Sequence, residues 1–179
     1  MQNSIQIKYN LIMKKLLILT LAVLCFAACN QAAKPAPEQN ETAQNVQGYV
    51  LPGLNGDNYN FTSKINQKPV VVAFMAGFCG WCKKMLPYMD EIAGKVPANQ
   101  ADVIIAFMDE NSSSLVNLEP VKAAKNIKIY YDASDLMKEQ GVSSFPTIML
   151  FKDGKQVETW RGYSPAHVDS ILKTVKDLK

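Results

Sequence analysis

Two cysteines three residues apart, Cys79 and Cys82, are the side chains of this 179-residue sequence whose type and spacing best suit chemistry. They close the run Val-Val-Val-Ala-Phe-Met-Ala-Gly-Phe-Cys-Gly-Trp-Cys, Val70 to Cys82. An i, i+3 spacing at the start of a helix puts both thiols on its first turn. Unpaired N–H groups at a helix N-terminus favour negative charge, and the thiolate is the nucleophile of disulfide exchange. Cys79, facing solvent, is therefore the expected attacking thiol. Cys82, one turn in and covered, reaches the same sulfur, closes the ring and releases a substrate from its mixed disulfide.

Other uses of the pair fit less well. A structural zinc site needs four ligands, and beyond these thiols the mature chain expected below offers one histidine, His167. Haem attachment requires histidine directly after the second cysteine, where Lys83 stands. A structural bridge across two residues restrains little, because its stabilisation grows with loop length. No metal or cofactor is expected.

The elements that position the pair are legible around it. Val70 to Met75 is short, apolar and bounded by Pro69 and Gly77, which predicts a strand buried on both faces. The cysteine helix is expected to run to about Ala93, and Asp102 to Met108 reads as a second central strand. Strand, helix and strand in that order make a right-handed parallel βαβ unit. Upstream, Tyr49 to Leu51 and Tyr59 to Thr62 read as short edge strands around the turn-rich Gly53 to Asp57. Downstream, Asp109 to Ser112 supplies capping residues for a helix over about Ser113 to Lys125, interrupted at Pro120. Ile127 to Tyr131 is strand-like, and Ser134 to Gln140 is a brief helix closed by Gly141. Thr147 to Phe151 and Gln156 to Arg161 form a hairpin through Asp153-Gly154. Ser164-Pro165 opens a last helix to about Leu178.

The N-terminus reads as an address. Met13-Lys14-Lys15, an apolar core from Leu16 and small residues before Cys29 describe a secretory signal peptide over residues 1–28, with Met13 the better start. Phe26-Ala27-Ala28-Cys29 resembles a bacterial lipobox, which implies lipidation of Cys29, loss of Cys25 with the signal, and Cys79 and Cys82 as the remaining thiols. Residues 29–47, polar and proline-bearing, are expected to be a disordered tether, followed by one domain over 48–179. The hydrophobic fraction of 48% suits that domain. The formal charge of +3 arises before Cys29: Lys8, Lys14 and Lys15 lie there and no acid does, so the remainder balances. Nothing in it suggests nucleic acid.

A βαβ half with CxxC at the helix start, then a hairpin half and a final helix, resembles the thioredoxin-like superfamily. Pro87, five residues after Cys82, matches a helix proline of that family. Val142-Ser-Ser-Phe145-Pro146-Thr147 matches the segment whose proline is cis and faces the cysteines. The insertion over roughly Asn111 to Tyr131 resembles the membrane-anchored TlpA/ResA type. The resemblance implies an α/β thioredoxin fold: a central mixed sheet flanked by helices, with an N-terminal β extension and a helical insertion between the βαβ and ββα halves. Two positions depart from the family, Ala73 and Met85, where its members carry acids that help move the buried thiol's proton. Asp109 and Glu110, at the carboxyl end of a central strand, are candidates to replace them or to cap the next helix. No peroxiredoxin pattern surrounds Cys79.

The family resemblance and the N-terminal address together imply an extracytoplasmic thiol-disulfide oxidoreductase, a lipoprotein on the periplasmic side of either membrane or on the cell surface. Cys79 and Cys82 are its catalytic pair; Gly80, Trp81, Phe145 and Pro146 are expected to contact substrate. Lys83 and Lys84 either assist the thiolate or solvate the helix face, and His167 is expected at the surface. Expected partners are protein disulfides, apocytochrome c being the family's commonest example, and a membrane thiol protein as electron donor. A disulfide-forming oxidant or isomerase, and a binding lipoprotein without redox turnover, remain open alternatives.

Overall fold

The computed structural model of the protein describes residues 48–178. The expected signal peptide, the tether and Cys29 lie outside the described residues. From Gly48 the chain forms β1 (Val50–Pro52), β2 (Asn58–Asn60), α1 (Phe61–Ile65), β3 (Val70–Met75), α2 (Gly80–Lys95), β4 (Asp102–Phe107), α3 (Glu119–Ala123), β5 (Lys128–Tyr130), α4 (Ser134–Glu139), β6 (Thr147–Lys152), β7 (Lys155–Arg161) and α5 (His167–Asp177). Among the described residues no helix is long and apolar enough to cross a membrane.

Five strands form one mixed sheet in the order β5-β4-β3-β6-β7. β3, β4 and β5 run parallel, and β6 and β7 are antiparallel to their neighbours. β3 is central and every one of its residues is buried, because it feeds two cores. Val71, Ala73 and Met75 point to the side packed by α2 and α5. Val70, Val72 and Phe74 point to the other, with Phe61, Leu136 and Met137. Burying each large apolar side chain contributes about 1.5–3 kcal/mol relative to leaving it in water, which is why a continuous apolar run is required here.

The β6–β7 hairpin turns through Asp153 (φ 52°) and Gly154 (φ 74°), a pair of left-handed residues whose twist matches that of the strands. β1 and β2 pair with each other, and their turn seals the outer edge of β5. Leu54 N–H donates to Ile129 O (3.0 Å) and Tyr131 N–H to Pro52 O (3.0 Å).

The structure differs from the sequence reading in four places. The segment over Tyr59 to Thr62 is strand only to Asn60: the Asn60 side chain accepts the Ser63 N–H (2.9 Å) and starts a helix at Phe61. The active-site helix outlasts Ala93 and ends at Lys95, since Val96 precedes Pro97 and is held extended. No long helix spans Ser113 to Lys125. A short 3₁₀ turn at Ser112–Ser114 is followed by the five-residue α3, because Pro120, with fixed φ and no N–H, opens a helix rather than interrupting one. Finally, α5 begins at His167, two residues beyond Pro165.

Candidate active site

The two cysteines stand where β3 ends and α2 begins, but in different positions of the helix. Cys79 is the N-cap, extended at φ −79° and ψ 111°, and its Sγ accepts the Cys82 N–H at 3.1 Å. No acidic residue occupies the first turn of α2, and the Cys79 sulfur takes the N-cap place where unpaired N–H groups gather. Cys79 is half-buried and Cys82 is 1% exposed, and no disulfide joins them here.

Burial pushes the Cys82 thiol up to about 12, with the Cys79 hydrogen bond adding to the effect. The cause lies in the packing. Ala73 and Met85, the positions that lack the family's acids, are fully buried in the same apolar cluster as Cys82. Apolar side chains take the places from which an acid would serve the buried thiol.

Asp109 makes contacts that neither expectation named. Its Oδ2 accepts the Gly77 N–H (2.8 Å), and Oδ1 accepts from Ser114 Oγ (3.2 Å). The carboxylate thus fastens the Ala76–Phe78 turn that presents Cys79. A Cβ at Gly77 would stand 2.7 Å from Asp109 Oδ1, so any larger residue there would push the carboxylate aside. Glu110 is exposed, and Asn111, the N-cap of the 3₁₀ turn, makes no side-chain capping bond.

Gly80 and Trp81 on the first turn of α2, and Phe145, whose ring meets that of Phe78 beside Cys79, make up a rim at the head of the helix. The Phe145–Pro146 peptide bond is cis, and Phe145 is half-buried against both cores. Gly80 is exposed, and a Cβ there would meet nothing within 4 Å, so packing does not demand glycine at this place. Trp81 is 56% exposed, with Lys84 Nζ 4.4 Å from its ring centre. Lys83 is an exposed residue of the helix face, and half-buried His167 approaches Arg161 O at 3.4 Å.

Three aromatic residues of the rim are not singled out by the sequence reading. Phe78, 77% exposed, meets the Phe145 ring edge-on at 6.4 Å. Tyr163 stacks on Trp81 at 5.7 Å, and Tyr88 lies 6.0 Å from Tyr163. Phe78 could have been noticed as the neighbour of Cys79. Tyr163 is 82 positions from Trp81 and carries no local signal. A groove of about 510 Å³ beside the insertion, lined by Leu54, Val121 and Ile129 among others, includes neither cysteine. Disulfide exchange needs an accessible sulfur rather than a cavity, so the groove is not the site of this chemistry.

The sequence model of the thioredoxin family matches residues 53–177. The chain belongs to the thioredoxin family. Thioredoxin of Chlamydia muridarum is 33% identical over 117 residues, covering 65% of this chain and 88% of that one. Among solved structures, the exposed lipoprotein thioredoxin Etrx1 of Streptococcus pneumoniae is 29% identical with a TM-score of 0.59, covering 73% of this chain and 98% of that one. StoA of Bacillus subtilis shares the fold at 19% identity and a TM-score of 0.59, over 72% of this chain and 96% of that one. Protein disulfide-isomerases also match, but the chain spans 22% of the length of the Medicago sativa protein. With its dithiol at the head of α2, this thioredoxin-family chain is a thiol-disulfide oxidoreductase.

Proposed function

We propose that the protein reduces protein disulfides outside the cytoplasm through a Cys79/Cys82 cycle, held to a membrane by lipid on Cys29. The observation that carries the catalytic part is the asymmetry of the two sulfurs. Cys79 Sγ sits half-exposed at the helix end, and Cys82 Sγ lies beneath it as a thiol pushed up to about 12. Cys79 attacks a substrate sulfur, the substrate S–S bond breaks, and the departing sulfur takes a proton. Cys82 then attacks Cys79 Sγ, loses its proton and frees the second substrate sulfur, leaving the pair oxidised. Because Cys82 gives up its proton reluctantly, it waits as a thiol while Cys79 reacts. Phe145, Pro146, Gly80 and Trp81 line the path of the substrate chain.

The extracytoplasmic setting and the anchor rest on the signal-like segment before Cys29 and on the likeness to a protein described as an exposed lipoprotein. An electron-donating thiol protein of the membrane would restore the dithiol after each turnover. The test is the reduction potential of the Cys79/Cys82 pair, read by Trp81 fluorescence in graded thiol buffers. A value near roughly −270 mV supports a reductase, whereas one near roughly −120 mV reverses the flow and makes it an oxidant. If no reversible disulfide forms, the binding-lipoprotein reading replaces this one. For the anchor, Cys29→Ala should move the protein from the membrane fraction to the soluble one; unchanged membrane association would sink the lipid.

A further inference from the structure

We infer that Tyr163 is a specificity-determining residue of the exchange reaction, selecting disulfides whose attacked cysteine is flanked by a bulky apolar or aromatic side chain. The inference rests on the thiol-disulfide reading above and names the substrate class of that same site. Its basis is the way the rim is held. Trp81 lies between the two cysteines in sequence and is more than half exposed, a place where an indole on its own would swing freely. It is engaged twice instead. The Tyr163 ring lies nearly parallel to it, 22° from coplanar with centroids 5.7 Å apart, and the Lys84 ammonium stands 4.4 Å from the ring centre.

Tyr163 is itself fixed. It follows Gly162, whose φ of +75° is a left-handed conformation that favours glycine, and the Gly162 N–H donates to Pro146 O at 2.8 Å. The backbone that carries Tyr163 is therefore joined to the Phe145–Pro146 loop, and its ring reaches across to α2, where Tyr88 supports it at 6.0 Å.

A tryptophan pinned in this way is a wall, and its position beside Cys79 is set before any substrate arrives. Phe78, the residue before Cys79, meets Phe145 edge-on at 81° and adds a second aromatic pair to the rim. A substrate side chain next to the attacked sulfur can lie against the exposed Trp81 ring. A bulky apolar group gains contact there and a glycine gains none. Preorganisation makes the gain available without a further ordering cost, so the selectivity depends on the Tyr163 ring that holds the wall in place.

The test follows formation of the mixed disulfide in the full-length protein carrying Cys82→Ser, with Cys82→Ala as a second background. In either, Cys79 Sγ bonds to one sulfur of a symmetric peptide disulfide, the other half leaves as a thiol, and the adduct persists for mass spectrometry. The probes are the disulfides of Ala-Phe-Cys-Ala and of Ala-Gly-Cys-Ala. The phenylalanine peptide is expected to react about three- to tenfold faster. Tyr163→Ala should bring that ratio to about one, and Tyr163→Phe, which keeps the ring and loses the hydroxyl, should preserve it. Equal rates for the two peptides with Tyr163 present, or a ratio that survives Tyr163→Ala, overturn the inference. So does equal slowing of both peptides by Tyr163→Ala, which would make the ring a mere support. If Cys79 forms no adduct with either peptide, the thiol-disulfide reading falls and takes the inference with it.

Discussion

Two loops flank α2, and each is fastened by one carboxylate. The Ala76–Phe78 turn, which presents Cys79, gives a single N–H to Asp109. The loop at Lys125–Ile127, where the insertion rejoins the sheet, gives three to Asp90 Oδ1: Lys125 N (3.0 Å), Asn126 N (2.7 Å) and Ile127 N (2.9 Å). Burial pushes the Asp90 carboxyl up, but the backbone donors more than offset it, and the group ends below the usual carboxylate range. The contrast separates two tasks. The insertion is clamped where nothing reacts, while the turn that must admit a substrate and shift as the sulfurs join and part is held lightly.

The largest expected effect tests the heavier clamp. Asp90→Ala leaves three backbone donors without their charged acceptor and should cost about 2–3 kcal/mol of stability in urea unfolding. The exchange rate per folded molecule should stay near wild type. A matching loss of rate would show that the clamp serves the active site after all, and the separation of tasks would be lost.

A second test is a pH contrast between the regions. Cys82 is raised in the folded state, so the stability it contributes is complete below its ordinary value near 9.0 and is lost as pH rises toward about 12. In that window the reduced protein should lose up to about 1.4 kcal/mol per pH unit more than Cys82→Ser does. Asp90 is depressed, so its contribution is complete above its ordinary value of 3.8 and fades as pH falls through the folded value. Protection of the Lys125–Ile127 amides from hydrogen exchange should therefore fall in acid, and the reduced active site should weaken in alkali. Parallel alkaline slopes for the wild type and Cys82→Ser would remove the thiol from the explanation.

The smallest effect belongs to Asp109→Ala, which should cost about 1 kcal/mol. Cys79 should nonetheless react several-fold more slowly with a peptide disulfide, and Asp109→Asn, which retains an acceptor, should recover most of the rate. Unchanged reactivity in Asp109→Ala would mean that the turn is shaped without its carboxylate.

Sequence reaches some of these features and not others for a physical reason. β3, β6, β7 and the head of α2 are written locally: an apolar run fixes β3, Asp153-Gly154 fixes the hairpin, and the cysteine spacing marks the helix start. The family match and the described structure agree with the thioredoxin fold expected from them. Asn60 is a local capping signal, and a strand over Tyr59 to Thr62 ignores the helix that it starts. Pro120 is equally local and cuts both ways, since a proline that breaks one helix also begins another. Asp90, Asp109 and Tyr163 act over 32 to 82 positions on partners that only the fold brings near, and nothing beside them in sequence announces it.

The β1–β2 turn laid along β5 bears on how copies of this protein can meet. A sheet ordinarily has two exposed rims, each ready to accept a strand from a neighbour. Here Pro52 and Leu54 occupy one of them, and among the described strands of the five-stranded sheet β7 alone is left at an outer rim without a partner. Pairing through β7 about a two-fold axis would consume that rim on both molecules at once, so edge-to-edge association through the five-stranded sheet closes at two.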